Sequence, residues 1–430
     1  MITIHQPEIV RVNGRSRLNA VIIIDNEKKD LWYEVDSEYE KYLCYERSDA
    51  FLIAVLQYAM RKQHDIICTA PVTQELLYNV TQHLFPIFCN MDEKWHRPNI
   101  TATTTSELLE NEGAVGTAIS CGIDSFHAIL NHIDTANDFH PRLTHLVISD
   151  IGNYHDYKAD DRPQVKENIV VRAKNSAIEL KLPIIVSDSN ITDAIPGWKQ
   201  YSYKTAFTIH AMAKLWGVYL FASSYDYSHF HLSNPETTDP LYYDLLAVQC
   251  FSVRSLRIYS EAGAFTRIQK TDFISDNPVA HKFLYVCWSK GNNYGVCSKC
   301  RRSMLSLYIL GKLDHFREVF PVEDFYKNID SYWDYLGEFV VNKGDLFATE
   351  IYNYILRHNG IHAEKAKSVI AKFRAQGRGV KKEQSNQAQS DRLRIQALTS
   401  EVESLRNSSS WKITKPLREM SKVLKKIIKK

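Results

Sequence analysis

The sequence predicts an α/β protein: a doubly wound parallel sheet, with a small α/β domain in front of it and a helical extension behind. Three observations lead there. Between Ala114 and Leu310 apolar strand-like runs alternate with helix-periodic segments, and strands separated by helices of about ten to fifteen residues imply parallel pairing with right-handed crossovers. The first such run, Val115 to Ile119, passes into SCGIDSFHAIL at residues 120 to 130, a strand, a tight turn and a helix start. The 430 residues exceed what one hydrophobic core serves, which calls for more than one domain.

In chain order, residues 1–112 read as the small α/β unit. Ile22 to Ile24 and Leu31 to Val35 suggest strands, and Ser48-Asp49 opens an apolar-periodic helix through Met60. Ile66 to Cys68 reads as a buried strand, Pro71 and Thr73 open a helix to about Phe85, and Ile100 to Thr105 returns as a strand. The main domain is placed at residues 113–311. Its strands are the run before the turn, Leu143 to Asp150, PIIVSD, and Gly217 to Ser224; helices fill Val165 to Leu180 and Thr205 to Leu215. A long irregular passage containing SEAGAFTRIQK, Ser260 to Lys270, follows. Residues 312–374 read as packed helices around Trp333, Leu336, Ile351 and Ile355. Beyond lie a flexible linker at 375–390, a short coiled-coil-like helix at 391–406 and a basic amphipathic tail at 411–430.

Composition restricts the functional classes. Apolar residues make up 44%, enough for a filled core, and no run approaches the roughly twenty residues that span a bilayer. MITIHQPEIV lacks the basic and apolar regions of a secretory signal, so a cytoplasmic protein is expected, with its eight cysteines as thiols or metal ligands. The net charge of +3 conceals an asymmetry: residues 412–430 carry eight Lys or Arg and one Glu, a net of +7, leaving the rest at −4.

The turn carries the chemistry. Backbone N–H groups in such a turn and in the first helical turn lack intrahelical partners, and the helix dipole adds positive potential, so polyphosphate is the natural guest. A plain strand-to-helix corner capped by Asp124 or Ser125 is the simpler reading. Ser120-x-Gly122-x-Asp124-Ser125 resembles the SGGxDS loop of the ATP pyrophosphatases, which include NAD synthetase, the ammonia-activating half of GMP and asparagine synthetases, tRNA thiolation enzymes and 7-cyano-7-deazaguanine synthase. Cys121 stands where that family has its first glycine, and a side chain there costs about 1 kcal/mol if φ must be positive.

The resemblance implies a HUP-like (Rossmann-like) PP-loop domain that cuts ATP to AMP and pyrophosphate and adenylates an oxygen on its substrate. Ser120, Cys121, Gly122, Asp124 and Ser125 would hold ATP, with Asp124 and Ser125 at the reacting centre and Mg²⁺ on Asp124; Asp150 to Asn153, with Asp150 and Asn153 the named contacts, would face the adenosine. Arg267 and Lys270 are the candidate catalytic cations for the departing pyrophosphate, although basic residues at that spacing also make a solvated face. His229 and His231, in SSYDYSHFH, fall where relatives place a substrate-facing loop.

Cys287, Cys297 and Cys300, the last two a C-x-x-C knuckle followed by Arg301 and Arg302, have a spacing that suits structural Zn²⁺. They resemble the C-terminal zinc site of 7-cyano-7-deazaguanine synthase and its cousins from surface-polysaccharide clusters, with Tyr294 where a further ligand would be. Three buried packing thiols, or a redox dithiol, remain open.

SSSWKITKPLREMSKVLKKIIKK is similar to tails of bacterial capsule and O-antigen glycosyltransferases. Such a helix can lie on anionic headgroups, giving a peripheral place at the inner face of the cytoplasmic membrane or docking to envelope glycan enzymes. Few aromatics are interleaved with its lysines, so no specific nucleic acid is expected.

The leading expectation is an adenylating enzyme that activates a carboxylate or similar oxygen of a small-molecule or sugar-linked acceptor for amidation or ligation, in surface-polysaccharide biosynthesis. Isoleucine at position 2 leaves no glutaminase nucleophile at the start, so ammonia would come free or from a donor protein. A nucleobase- or tRNA-modifying enzyme and a nucleotide-binding scaffold without turnover remain open.

Overall fold

The computed structural model describes residues 1–134, 141–152, 158–197, 201–232, 240–287, 292–358 and 360–376. Asn153 and the segments at 391–406 and 411–430 lie outside them, as does the linker beyond 376, the last residue of a helix that begins at 363.

Thirteen strands are described: β1 Ile2–Ile4, β2 Glu8–Val12, β3 Arg15–Ile24, β4 Glu27–Asp36, β5 Ile66–Cys68, β6 Val72–Thr73, β7 Ile100–Thr101, β8 Thr104–Thr105, β9 Ala114–Ala118, β10 His145–Asp150, β11 Ile184–Ser189, β12 Trp216–Ala222 and β13 Arg257–Glu261. Eleven form one sheet in the order β13-β12-β9-β10-β11-β4-β3-β1-β5-β7, with β2 beside β3. The five strands β13 to β11 in that order are parallel throughout. The sheet then continues through the antiparallel pair β11–β4, Ser187 opposite Val35, into the N-terminal strands. It is a mixed sheet whose largest block is parallel.

Side-chain alternation explains the layers. Along β12, Tyr219 and Phe221 enter one apolar core while Leu220 enters the other, and Val147 and Ile148 divide in the same way on β10. Helices Asp49–Lys62 and Tyr201–Ala211 cover the first face, and helices Ile123–Ile133, Arg162–Leu180 and Arg267–Ile274 the second. Strands buried on both faces read as near-continuous apolar runs, which is why these were visible in the sequence. Strand β3 buries every second residue, Ser16 through Ile24, with the others half-buried. The first core therefore runs without a break from Ile2 and Leu18 to Tyr219 and Ile258, across residue 112.

Two expectations need correction. The passage from Ser260 to Lys270 is ordered: it ends β13 and begins helix Arg267–Ile274, which Thr266 opens with a full capping box closed by Gln269. The helix expected from Thr73 to Phe85 is shorter at first, Gln74–Asn79, then widens into a π-turn at Val80–Leu84 before continuing as Phe85–Met91.

The C-terminal helices, Leu346–His358 among them, pack their apolar faces on the second core through Trp333, Leu336, Ile351 and Ile355. No helix among the described residues is long and apolar enough to cross a membrane.

Candidate functional site

A cavity of about 430 Å³ opens at the carboxyl ends of β9, β10 and β12. Consecutive connections leave β9 on opposite sides, to β10 and eventually to β12, and the divergence leaves a crevice at the strand ends. The turn after β9 forms its floor. Cys121 has φ +58°, the left-handed region, so the chain reverses sharply and Gly122 becomes the N-cap of helix Ile123–Ile133. The Cys121 side chain is 1% exposed and points away from the cavity into the second core, its Sγ 3.5 Å from Ser176 Oγ. Burial pushes its thiol up to about 11, so Cys121 is an inert, packed side chain. Its carbonyl accepts from the Tyr285 N–H at 2.8 Å.

The serines hold the turn. Gly122 N–H donates to Ser120 Oγ at 3.3 Å, Ser120 Oγ donates to Ser125 Oγ at 3.2 Å, and Ser125 Oγ donates to the Gly122 carbonyl at 3.0 Å. No side chain caps the helix, which leaves the N–H groups of Ile123, Asp124 and Ser125 at the cavity floor without intrahelical partners.

Asp124 is the one carboxylate that lines the cavity among the described residues. Arg267 Nη2 lies 2.9 Å from its Oδ2 and Lys270 Nζ 3.5 Å from its Oδ1. Arg267 lines the cavity. Lys270 does not; it is fully buried behind Asp124, where Nζ donates to the Ser223 carbonyl at 2.8 Å. Burial pulls its ammonium below the ordinary lysine range, partly offset by Asp124. Lys270 therefore acts on the cavity through Asp124. Behind it, Asp244 accepts from Ser223 and Ser260 hydroxyls at 2.8 and 2.9 Å, and burial lifts its carboxyl to about 6.

Two further cations were not among the site residues expected from the sequence. Lys299 and Arg302 project into the cavity from the first turns of helix Ser298–Ile309. Desolvation and the neighbouring Arg267 and Arg302 charges lower Lys299 to about 8. Arg302 has its guanidinium 4.1 Å over the Phe347 ring, and its Nε has no hydrogen-bond partner among the described residues. The Arg267 guanidinium stands 4.8 Å over the same ring. The signal was the three-residue spacing of Lys299 and Arg302, which places both on one helix face; by itself it also fits a solvated face.

Asp150 stands outside the cavity. Its carboxylate is held by Lys166 at 3.1 Å and by the Gly152 N–H, and Lys166 also bridges to Asp188. Its neighbours Ser149 and Ile151 line the cavity instead. His229 pairs with Asp226, Nδ1 to Oδ2, at 2.7 Å, and His231 Nδ1 lies 2.9 Å from the His229 carbonyl.

The three predicted thiols converge. Ligand atoms of Cys287, Cys297 and Cys300 lie within 4.8 Å of one another, with Cys287 and Cys297 Sγ 3.6 Å apart. Tetrahedral zinc with Zn–S of about 2.3 Å requires sulfurs about 3.8 Å apart, so the donor set fits that ion. Cys297 caps helix Ser298–Ile309, its Sγ accepting from the Cys300 N–H at 3.4 Å. Tyr294 is 48% exposed. Cys287 also lines the cavity, so the thiol cluster and the cationic helix face share one wall.

The arrangement is chemically specific: N–H groups without intrahelical partners and Arg267, Lys299 and Arg302 face one space with, among the described residues, a single carboxylate. Such a surface suits a polyanion. No family model, no curated protein and no solved structure matches the chain.

Proposed function

We propose that this chain is an ATP-dependent adenylating enzyme, cutting ATP to AMP and pyrophosphate while activating an acceptor oxygen. The observation that supports it most is the crowding of Arg267, Lys299 and Arg302, with Lys270 behind, around Asp124 at the N-terminus of helix Ile123–Ile133. The parallel order β11-β10-β9-β12-β13, with the cavity at the strand ends beside β9, supports a doubly wound nucleotide-binding reading of the HUP kind. Adenylation, rather than transfer of the terminal phosphoryl group, is favoured by the likeness of Ser120-x-Gly122-x-Asp124-Ser125 to the pyrophosphatase loop.

In this reading the turn and the N–H groups of residues 123–125 hold the triphosphate, and Asp124 takes the Mg²⁺ that screens its charge. Arg267, Lys299 and Arg302 stabilise the pyrophosphate as negative charge gathers on it. Lys270 orients Asp124. The adenosine lies against Ser149 and Ile151 rather than Asp150. The rest of the cavity, lined by Tyr201, Thr205, Thr208, Tyr219 and Phe221, carries hydroxyls and aromatic faces without charge and receives the acceptor. The thiol trio holds a structural Zn²⁺ that fixes the start of helix Ser298–Ile309 and with it Lys299 and Arg302. The basic tail supplies docking to an anionic membrane surface or to glycan enzymes.

The test is exchange of labelled pyrophosphate into ATP by the full chain with Mg²⁺ and a small-molecule extract of its host. The proposal expects exchange that needs the extract and is lost in Asp124→Ala. Exchange equally fast in Asp124→Ala, or demonstrable ATP binding with no exchange under any extract, would overturn it.

A further inference from the structure

We propose that Asp226, His229 and Glu350 form a second metal site, for a divalent first-row transition cation such as Mn²⁺, beside the cavity. One ligand atom from each residue lies within 4.8 Å of the others. Two elements far apart in sequence supply them: the loop after β12 gives Asp226 and His229, and helix Leu346–His358 gives Glu350. Asp226 is buried, 8% exposed, and His229 and Glu350 are half-buried.

Each carboxylate is held from behind in a way that presents it to the others. Asp226 caps the short turn Tyr227–His229, its Oδ1 accepting from the Ser228 N–H at 2.9 Å and from the Ser228 hydroxyl, which leaves Oδ2 beside His229 Nδ1 at 2.7 Å. Glu350 Oε2 accepts the Arg267 N–H at 2.8 Å. Hydrogen bonds of this kind from outside a ligand set fix ligand orientation in metal centres. Two carboxylates placed this close repel each other, and a dication between them offsets both. Two carboxylate oxygens with one imidazole nitrogen suit manganese or zinc rather than the softer ions that thiolates select. Donor atoms about 2.1 Å from one ion stand about 3.4 Å apart, so the set closes by rotamer-scale movement.

The site is coupled to the cavity through one residue: the Arg267 N–H holds Glu350 while its guanidinium holds Asp124. The inference does not depend on the cavity taking ATP.

Chelator-treated full-length protein, without nucleotide, is titrated with Mn²⁺ while free Mn²⁺ is followed by electron paramagnetic resonance. Thiolates take Mn²⁺ poorly, which keeps the cysteine trio silent. We expect one saturable Mn²⁺ per chain, weakened at least ~10-fold in both Glu350→Gln and His229→Gln and unchanged in Asp124→Asn. Near-ultraviolet circular dichroism confirms that each variant keeps its packing. The proposal is overturned if the wild type shows no saturable binding, if binding survives in both Glu350→Gln and His229→Gln, or if only Asp124→Asn removes it.

Discussion

Replacing Lys299 by Met should strengthen the fold and weaken the site at once. In the free protein Lys299 is desolvated beside Arg267 and Arg302, and its pKa falls from the ordinary 10.5 to about 8. The folded state therefore binds its proton less well than the unfolded chain does. At pH 7 the ammonium is charged in both states and the whole penalty is present; it is relieved as pH rises from about 8 towards 10.5, where only the unfolded chain keeps the proton. The difference corresponds to up to about 3 kcal/mol, so Lys299→Met should be more stable than the wild type by that order at neutral pH. Its aliphatic stem keeps the packing of lysine. A polyphosphate in the cavity reverses the sign, because one charge-assisted hydrogen bond to a buried anion contributes about 1.5–3 kcal/mol. Pyrophosphate affinity should drop roughly ten- to hundred-fold.

Denaturant unfolding reads the first quantity and titration calorimetry with pyrophosphate the second. Because the bound anion raises the Lys299 pKa, the wild type should take up to about half a proton on binding near pH 8, and its affinity should fall as pH rises beyond that. Calorimetry in buffers of different ionisation enthalpy measures the uptake. A variant that is weaker in binding but no more stable, or that keeps the wild-type proton uptake, would refute the electrostatic reasoning.

Four further outcomes are expected. Purified protein should carry about one zinc by elemental analysis, and Cys300→Ser should lower both zinc content and pyrophosphate affinity, since that thiol trio fixes the helix bearing Lys299 and Arg302; zinc-free protein that binds pyrophosphate as tightly as zinc-loaded protein would count against this. Cys121→Gly removes a left-handed strain of about 1 kcal/mol and a buried side chain of similar value, so its unfolding free energy should stay near that of wild type. Cys121→Val, β-branched at φ +58°, should instead lose roughly 2–3 kcal/mol by the same measurement. Gly116→Ala would put its Cβ 2.6 Å from the Trp216 ring and should cost about 1–3 kcal/mol in thermal or chemical unfolding.

Strands β9 to β12 were legible because burial on both faces writes an uninterrupted apolar run. Strand β13 was not: in Arg257–Glu261 only Ile258 and Ser260 face inward, and Tyr259 is 47% exposed at the edge of the sheet. The capping box Thr266-x-x-Gln269 was the available signal for the helix that follows. The antiparallel joint between β11 and β4 has no signature in either strand, since pairing is decided by the layer that both must cover. At the site, the turn and Asp124 were named from the resemblance of the loop, Arg267 as a candidate cation for the leaving group, and the three thiols from their spacing. Lys270 was named too, but its place behind Asp124 depends on the Ser223 carbonyl, which no spacing reports. Glu350 and Asp226 meet only through tertiary packing, so their proximity could not be read in advance.

The central claim is tested most directly by the product formed from α-labelled ATP with Mg²⁺ and the host's small-molecule extract, resolved as AMP or ADP. Adenylation in the cavity predicts AMP that requires both the extract and Asp124, with none from Asp124→Ala. Labelled ADP as the product would contradict the account, because it would place the cut between the β and γ phosphates.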